Sequence, residues 1–281
     1  MTFRPDGPYG LRASAVGSAG GTRRARGGVL DVALRPDGAP AWARVRQLPD
    51  GSLEAELRAH DLDAAREQLA FVLALDVDLR PFLRRFGHDP LLASALRRHR
   101  GMRPLRHATI AHSLLRAVCG QLVRWREAAR LERALLARSA PAVGALRLPP
   151  TADELAELSP AQAAACGLAS RRAAALVRAA RSLDLEALRG RDAAAVRGHL
   201  LAQRGLGEWS YGVIALHGLG RTDAGLVGDL GLIKLCAARS GRPAGPEDTR
   251  RLLEPYGEWA GVAGAYLLAG GGSRAPQAAA R

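Results

Sequence analysis

Two stretches of the chain carry residue types that can do chemistry. The first is Gly205-Leu206-Gly207, a turn between an apolar helical pattern that ends near Gln203 and another that begins at Glu208. Glycine accepts the positive φ that closes a helix, and the exposed amides of the following helix suit a phosphate oxygen. The second is Asp229, about twenty residues further on, where a carboxylate can cap a helix or stabilise a developing positive charge.

Predicted helices hold both features in place. The two patterns around the glycines predict a helix-hairpin-helix, with Asp192 at the start of its first helix. Capping boxes at Thr151 to Glu154 and Ser159 to Gln162 predict two short helices ahead of it. Apolar periodicity and caps predict the other helices of this part, at 80–86, 89–96, 107–119, 125–138, 171–183 (capped by Ser170), 229–239, 246–253 and 258–268.

The amino-terminal part has a different period. Residues 29–34, 41–46 and 52–57 alternate between apolar and polar types, and Pro-Asp-Gly turns separate them. This pattern predicts a small antiparallel sheet, accompanied by a helix at about 63–75. Residues 1–28 show little periodicity apart from a short candidate strand at 9–14, so this end is expected to be flexible.

Composition narrows the classes of function. Lys and Arg number 41 against 27 Asp and Glu, and the net charge of +14 suggests a polyanionic partner. The dominance of arginine also fits the codon bias of a GC-rich genome. Charge alone therefore does not decide between a polyanionic partner and codon bias as the origin of the positive charge. Three scattered cysteines disfavour a zinc site or a four-cysteine iron–sulfur cluster, and the seven histidines show no ligand spacing. With no signal peptide or membrane span in the sequence, a cytoplasmic location is expected.

Five blocks in register resemble the DNA-3-methyladenine glycosylase II family, the alkylation-repair branch of the helix-hairpin-helix DNA glycosylases. They are residues 115–123 (LRAVCGQLV), 155–162 (LAELSPAQ), 167–173 (GLASRRA), 205–210 (GLGEWS) and 228–234 (GDLGLIK). The resemblance covers about residues 80–270 and implies an α+β protein. A small antiparallel sheet domain (1–79) precedes a two-lobed, mostly helical glycosylase region (80–270), and a disordered tail (271–281) follows.

The resemblance implies that Asp229 is the catalytic residue, beside the cap that its position alone would explain. Breaking an N-glycosidic bond develops oxocarbenium charge, which a carboxylate stabilises. Trp209 occupies the hairpin position where lyase members carry a nucleophilic lysine, and the chain's single lysine is Lys234. An indole forms no Schiff base, so the implied enzyme is monofunctional.

Further site residues come from the same resemblance. Leu122 matches the apolar wedge that fills the stack when a base is flipped out, although an apolar residue at a helix break is more often core. The implied DNA contacts are Gln121, Leu122, Arg124, Gly205, Leu206, Gly207 and Ser210. The implied base pocket comprises Trp209, Tyr211, Val213, Trp259, Tyr266 and Leu268, with Val213 and Leu268 at positions where relatives can carry Tyr and Trp.

The implied partner is double-stranded DNA with damaged bases, bound by a monomer without a cofactor or membrane. By analogy, main-chain oxygens between Gly205 and Gly207 can hold a monovalent cation; no other metal is expected. The alternative is a helix-hairpin-helix DNA-binding protein without catalysis, which explains the hairpin and the charge but leaves Asp229 beside Trp209 unexplained.

Overall fold

A five-stranded antiparallel sheet forms the amino-terminal part of the computed structural model, which describes residues 1–18 and 21–270. The tail predicted at 271–281 lies outside the described residues. The strand order is β1-β5-β4-β3-β2. The strands are β1 (Thr2–Phe3), β2 (Arg23–Arg26), β3 (Val29–Leu34), β4 (Ala41–Gln47) and β5 (Leu53–Arg58). The predicted hairpins are confirmed: Asp37 and Gly38 take positive φ between β3 and β4, and Gly51 does so before β5.

The first residues are more regular than their composition predicted. The strand predicted at 9–14 is wrong, because this segment contains the short helix α1 (Leu11–Ser14). Leu11 and Ser14 lie three residues apart and are both buried, which is a helical spacing. The helix has only four residues, so its sequence is too short to show a helical period. Strands β1 and β2, which the sequence reading missed, cover the two edges of the sheet.

Helices make up most of the remaining chain, with one small hairpin, β6 (Ala142–Val143) and β7 (Leu146–Arg147). They are α2 (Leu62–Val72), α3 (Arg80–Phe86), α4 (Ala93–Arg98), α5 (Ile110–Gly120), α6 (Trp125–Ser139), α7 (Ala152–Ala156), α8 (Pro160–Ala165), α9 (Ser170–Ser182), α10 (Ala193–Leu201), α11 (Glu208–Gly218), α12 (Leu230–Ser240), α13 (Pro246–Leu253) and α14 (Ala260–Ala269). The α+β architecture predicted from the sequence is confirmed.

Local signals account for most helix starts. Both capping boxes are present, with Thr151 and Ser159 as N-caps. Several starts differ from the prediction: α5 begins at Ile110 with Thr109 as its cap, and α14 begins at Ala260, each two or three residues later than expected. The carboxylate of Asp89 accepts the amides of Leu91 and Leu92 in a turn, and α4 begins only at Ala93. Ser170 is the first residue of α9 rather than its cap, and no side chain caps this helix.

Two large apolar cores hold the chain together, beside a small cluster of Ala33, Leu146 and Leu148. One lies between the sheet and α2, and it includes Leu105 and Ala108 from the segment before α5. The other fills the helical part, where α5 packs against α6, α9 and α11. Burial of these side chains is the main stabilising term and fixes the ends of α5, α11 and α12 relative to one another. None of the described helices is long and apolar enough to span a bilayer.

Candidate active site

The predicted hairpin joins α10 to α11, and its two glycines serve different purposes. Gly205 has φ +97°, and a Cβ there would lie 2.7 Å from Cβ of Ala175. Both its conformation and its packing therefore require glycine. Gly207, the N-cap of α11, has an extended backbone, and a Cβ there would meet nothing within 4 Å. Packing within the protein does not require glycine at position 207, so the surface around this residue is open to a ligand.

The start of α11 is an open group of hydrogen-bond donors. The first bond of this helix runs from the Tyr211 amide to the Gly207 oxygen at 2.9 Å, and no side chain caps the end. The amides of residues 208–210 precede this bond and point along the helix axis, where they favour an anion. Leu206 and Ser210, predicted as DNA contacts, have only 6% and 2% of their surfaces exposed, so their side chains belong to the interior.

A loop between α5 and α6 presents Leu122 to solvent beside the hairpin. Leu122 is 87% exposed and takes φ +56°, a left-handed conformation that is costly for a non-glycine residue. Gln121 fixes the loop, because its Nε2 donates to the Gly205 oxygen at 2.7 Å and to Ser210 Oγ at 3.0 Å. The predicted core alternative for Leu122 is therefore wrong, and an apolar side chain is held outward.

Arg172 is a second anchor of this loop that sequence reasoning missed. Its Nη1 donates to the main-chain oxygen of Gln121 at 3.0 Å. It stands in the 167–173 block, which carried the resemblance but no assigned role. Arg124 lies on the other side of Leu122 as the exposed N-cap of α6, and its side chain makes no capping bond.

Asp229 and Trp209 meet at the start of α12. The Trp209 indole N–H donates to Asp229 Oδ2 at 3.0 Å. Asp229 Oδ1 accepts the amides of Gly231 and Leu232 at 2.7 and 3.4 Å, so the predicted N-cap is confirmed. All three partners donate, which is the arrangement that a carboxylate anion requires. The residue thus caps its helix with one oxygen and faces the hairpin with the other.

Two glycines shape the walls around this carboxylate. A Cβ at Gly120 would lie 2.5 Å from Cη2 of Trp209, so the indole packs directly on the end of α5. A Cβ at Gly231 would lie 2.5 Å from Cδ2 of Leu268 and 3.1 Å from Asp229 Oδ1. Leu268 therefore lies close to the carboxylate. Thr249 supports the approach to Asp229 by accepting the Gly228 amide at 2.8 Å.

For the other four predicted pocket residues, the contacts are with groups other than Asp229, and their place in the base pocket stays a prediction. Tyr211 has Asp223 and Arg221 as its strongest charged neighbours, on another face of α11. Val213 is buried in the helical core. Trp259 donates to Glu258 and packs 5.6 Å from the Phe82 ring, while the buried Tyr266 stacks on the same ring at 5.8 Å.

The structure also bears on the metal predictions. The oxygens of Gly205 and Gly207 already accept bonds from Gln121 and from the Tyr211 amide, so neither is free of a donor. Away from the hairpin, His107, His112 and Glu132 place their ligand atoms within 4.8 Å of one another, a cluster that the sequence spacing did not predict. The cysteines are free thiols; Cys119 and Cys236 are buried, and Cys166 is half-buried.

No model of a known protein family matches the chain. Over 191 residues, 66% of the chain, the sequence is 36% identical to the "Probable bifunctional transcriptional activator/DNA repair enzyme AlkA" of Mycobacterium tuberculosis. The match covers 38% of that protein, so this chain corresponds to less than half of its length.

Solved structures share the fold. The 3-methyladenine DNA glycosylase of Archaeoglobus fulgidus superimposes with a TM-score of 0.84 over 95% of this chain and 96% of that one, at 18% identity. The 8-oxoguanine glycosylase/lyase of Clostridium acetobutylicum in complex with double-stranded DNA gives 0.75 over 96% of each chain, at 15% identity.

The fold is that of the helix-hairpin-helix DNA glycosylases. Among these proteins, the similarity to AlkA confirms the resemblance to the DNA-3-methyladenine glycosylase II family that the five sequence blocks indicated.

Proposed function

We propose that this chain is a DNA glycosylase that excises alkylated purines, of the 3-methyladenine and 7-methylguanine type, from double-stranded DNA in base excision repair. The observation that carries the proposal is the Asp229 carboxylate, held by the Trp209 indole and by two amides of α12. It lies beside a hairpin whose amides suit a phosphate, so one surface combines DNA binding with a group for glycosidic bond cleavage.

Asp229 acts on the sugar of the flipped nucleotide. As the bond to the base breaks, positive charge develops on the sugar ring, and the carboxylate stabilises it. Water then adds to the sugar and leaves an abasic site. Because Oδ1 is engaged by α12 and Oδ2 by Trp209, the carboxylate needs little reorganisation as the charge develops.

The walls of the site support a cationic purine as substrate. Alkylation at N3 or N7 places a positive charge on the base, which an indole face attracts. Trp209 supplies one such face, whereas Leu268 supplies an aliphatic one. With one aromatic wall, binding contributes little discrimination, and lesions with an already weakened glycosidic bond are favoured.

The reaction stops at base release in this proposal. A strand-nicking glycosylase needs an amine at the sugar, but Trp209 occupies the hairpin position and its N–H is engaged by Asp229. Lys234, the single lysine of the chain, is exposed on α12 five residues beyond Asp229 and contributes nothing to the hairpin.

DNA is held through its backbone by a monomer. The open amides of α11 accept one phosphate, and exposed arginines such as Arg124 contact others. Leu122 enters the stack where the nucleotide leaves, and Gln121 and Arg172 keep it in place.

One assay tests the proposal against the non-catalytic alternative. Wild type and Asp229→Asn are incubated with duplexes carrying methylated purines, hypoxanthine or uracil, and the released base is measured directly. Strand breaks are scored before and after hot alkali, and borohydride is added to trap any Schiff base. We expect base release from methylated purines, breaks only after alkali, and no trapped adduct. Binding without release from any duplex would identify a DNA-binding module, and a trapped adduct would contradict the monofunctional assignment.

A further inference from the structure

A polar cavity lies away from the hairpin, between β2 of the sheet and helices α5 and α6. Its volume is about 30 Å³, and its polar lining residues are Thr22, Arg23, His107, Arg116 and Glu132. Trp125, which is 50% exposed, forms the side towards solvent. A cavity of this volume has room for about two particles of the size of water. The DNA chemistry proposed above uses none of these polar groups.

The polar groups around this cavity satisfy one another only in part. Glu132 accepts from His112 Nε2 at 2.8 Å and lies 3.6 Å from Arg116 Nη1, beyond hydrogen-bond distance. Among the described residues, Arg116 Nη1 and His112 Nδ1 are buried without a hydrogen-bond partner. A buried donor on a charged group is costly to leave unpaired, so Arg116 Nη1 calls for an acceptor that the protein itself does not supply.

The charges decide what kind of acceptor fits. Arg23 and Arg116 both lie close to Glu132, so two guanidinium groups share one carboxylate. Arg106, the next cation, is already paired with Asp76 at 2.6 Å. The histidines add no charge at neutral pH, because burial lowers the pKa of His107 and of His112. One positive charge in this partly buried group, in which the Arg116 side chain is 26% exposed, is therefore left without a counter-charge within the protein.

The cluster of His107, His112 and Glu132 has the composition of a divalent metal site, but its surroundings oppose one. A divalent cation would add two positive charges to a group that already has an excess of one, beside two arginines. A monovalent anion would instead bring the group to neutrality. The electrostatic balance favours the anion.

We propose that this cavity binds a small monovalent anion, of the size of chloride or bromide, between the guanidinium groups of Arg23 and Arg116. The site joins β2 to α5 and α6, the two helices that flank the Gln121 and Leu122 loop. Arg116 lies one helical turn before Gly120, so the bound anion fixes the end of α5 from which the loop departs. It thereby stabilises the contact between the sheet and the helical part of the chain.

Bromide provides a direct test, because it replaces chloride and scatters anomalously. Crystals of the full chain grown in bromide should show one anomalous peak in the cavity, within 3.5 Å of Arg116 Nη1. In solution, Tm is measured while potassium bromide replaces potassium gluconate at constant ionic strength. Tm should rise with saturation, by about 2–4 °C when bromide reaches ten times its Kd.

Matched variants assign the effect to the cavity. Arg116→Met keeps the length of the side chain but removes its charge, so the bromide-dependent rise should disappear. Arg138→Met, at an exposed position of α6, should keep it. A cavity without an anomalous peak, or a rise that persists in Arg116→Met, would overturn the proposal. Stoichiometric metal in the purified protein, with a fall in Tm on chelation, would overturn it in favour of a cation site. The wild-type crystals decide the matter if Arg116→Met fails to fold.

Discussion

The indole N–H of Trp209 donates to Asp229 Oδ2 at 3.0 Å and joins the second hairpin helix to the start of α12. Trp209, at the hairpin position where the resemblance implies a lysine in lyase members, thus orients the proposed catalytic carboxylate. Oδ1 of the same carboxylate caps α12 through Gly231 and Leu232. Cap and catalyst are therefore compatible roles of one side chain, and separating them requires a substitution that preserves the cap.

Asp229→Asn should retain the fold and lose base release. Asparagine caps a helix as well as aspartate, so α12 persists. Its amide group must face the Trp209 N–H, which costs about 1 kcal/mol for the lost hydrogen bond. Removal of the negative charge should slow excision by about 100- to 1,000-fold. Single-turnover base release from a methylated duplex measures this effect.

Trp209→Phe is the matched control. It removes the same hydrogen bond but keeps the carboxylate charge, so it should lower excision much less than Asp229→Asn. Equal losses in the two variants would assign the effect to orientation rather than to charge. If Asp229→Asn releases the base at the wild-type rate and its Tm is unchanged, Asp229 is not the catalytic residue.

The sequence predicted the hairpin and the Asp229 cap correctly because both depend on local signals. It could not orient the side chains of α11. Residues 212–216 are all buried, so the helix has no polar stripe to show that Trp209 and Tyr211 point in different directions. The bond from Gln121 to Gly205 spans 84 residues and results from the packing of α5 on α11. No spacing rule within the chain indicates such a contact.

Gly207→Ala should weaken DNA binding without unfolding the protein. The backbone of Gly207 is extended and its Cβ position is open, so alanine fits the free protein but approaches a bound phosphate. We expect affinity for any duplex to fall by about tenfold, or about 1.4 kcal/mol. Fluorescence anisotropy at several salt concentrations checks this prediction. The logarithm of the affinity should fall linearly with the logarithm of the salt concentration, with a slope of about −0.9 per neutralised phosphate.

Gly205→Ala provides the contrast. At φ +97°, and 2.7 Å from Cβ of Ala175, a methyl group strains the turn itself. Tm should fall, because the left-handed conformation alone costs about 1–2 kcal/mol. If Gly207→Ala lowers Tm as much as Gly205→Ala, or leaves binding unchanged, the hairpin amides are not the phosphate site.

Stability should fall as the pH is lowered from about 6.5 towards 4. Burial lowers the pKa of His217 from 6.5 to about 4, and it also lowers the pKa of His107 and of His112. The unfolded chain therefore binds more protons in this window, so acid favours unfolding. His217 alone contributes on the order of 3 kcal/mol.

Chemical denaturation across this range measures how steeply the free energy of unfolding changes with pH, for wild type, for His217→Gln and for His60→Gln. The slope should decrease in His217→Gln and persist in His60→Gln, which changes an exposed residue; identical slopes in all three would contradict the assignment.

Leu122→Ala and Gln121→Ala should separate the wedge from its support. Leu122 is 87% exposed, so its truncation should leave Tm unchanged while excision from a damaged duplex falls by about tenfold, because nothing fills the vacated stack. Gln121→Ala removes the bonds to Gly205 and Ser210, so both Tm and excision should fall, by about 1 kcal/mol of stability per bond. Binding of undamaged duplex should change little in Leu122→Ala, since the hairpin amides remain. Base-release assays measure excision, anisotropy with damaged and undamaged duplexes measures binding, and melting curves measure Tm. An equal loss of affinity for both duplexes in Leu122→Ala would show that Leu122 contacts DNA generally and does not fill the space of a flipped base.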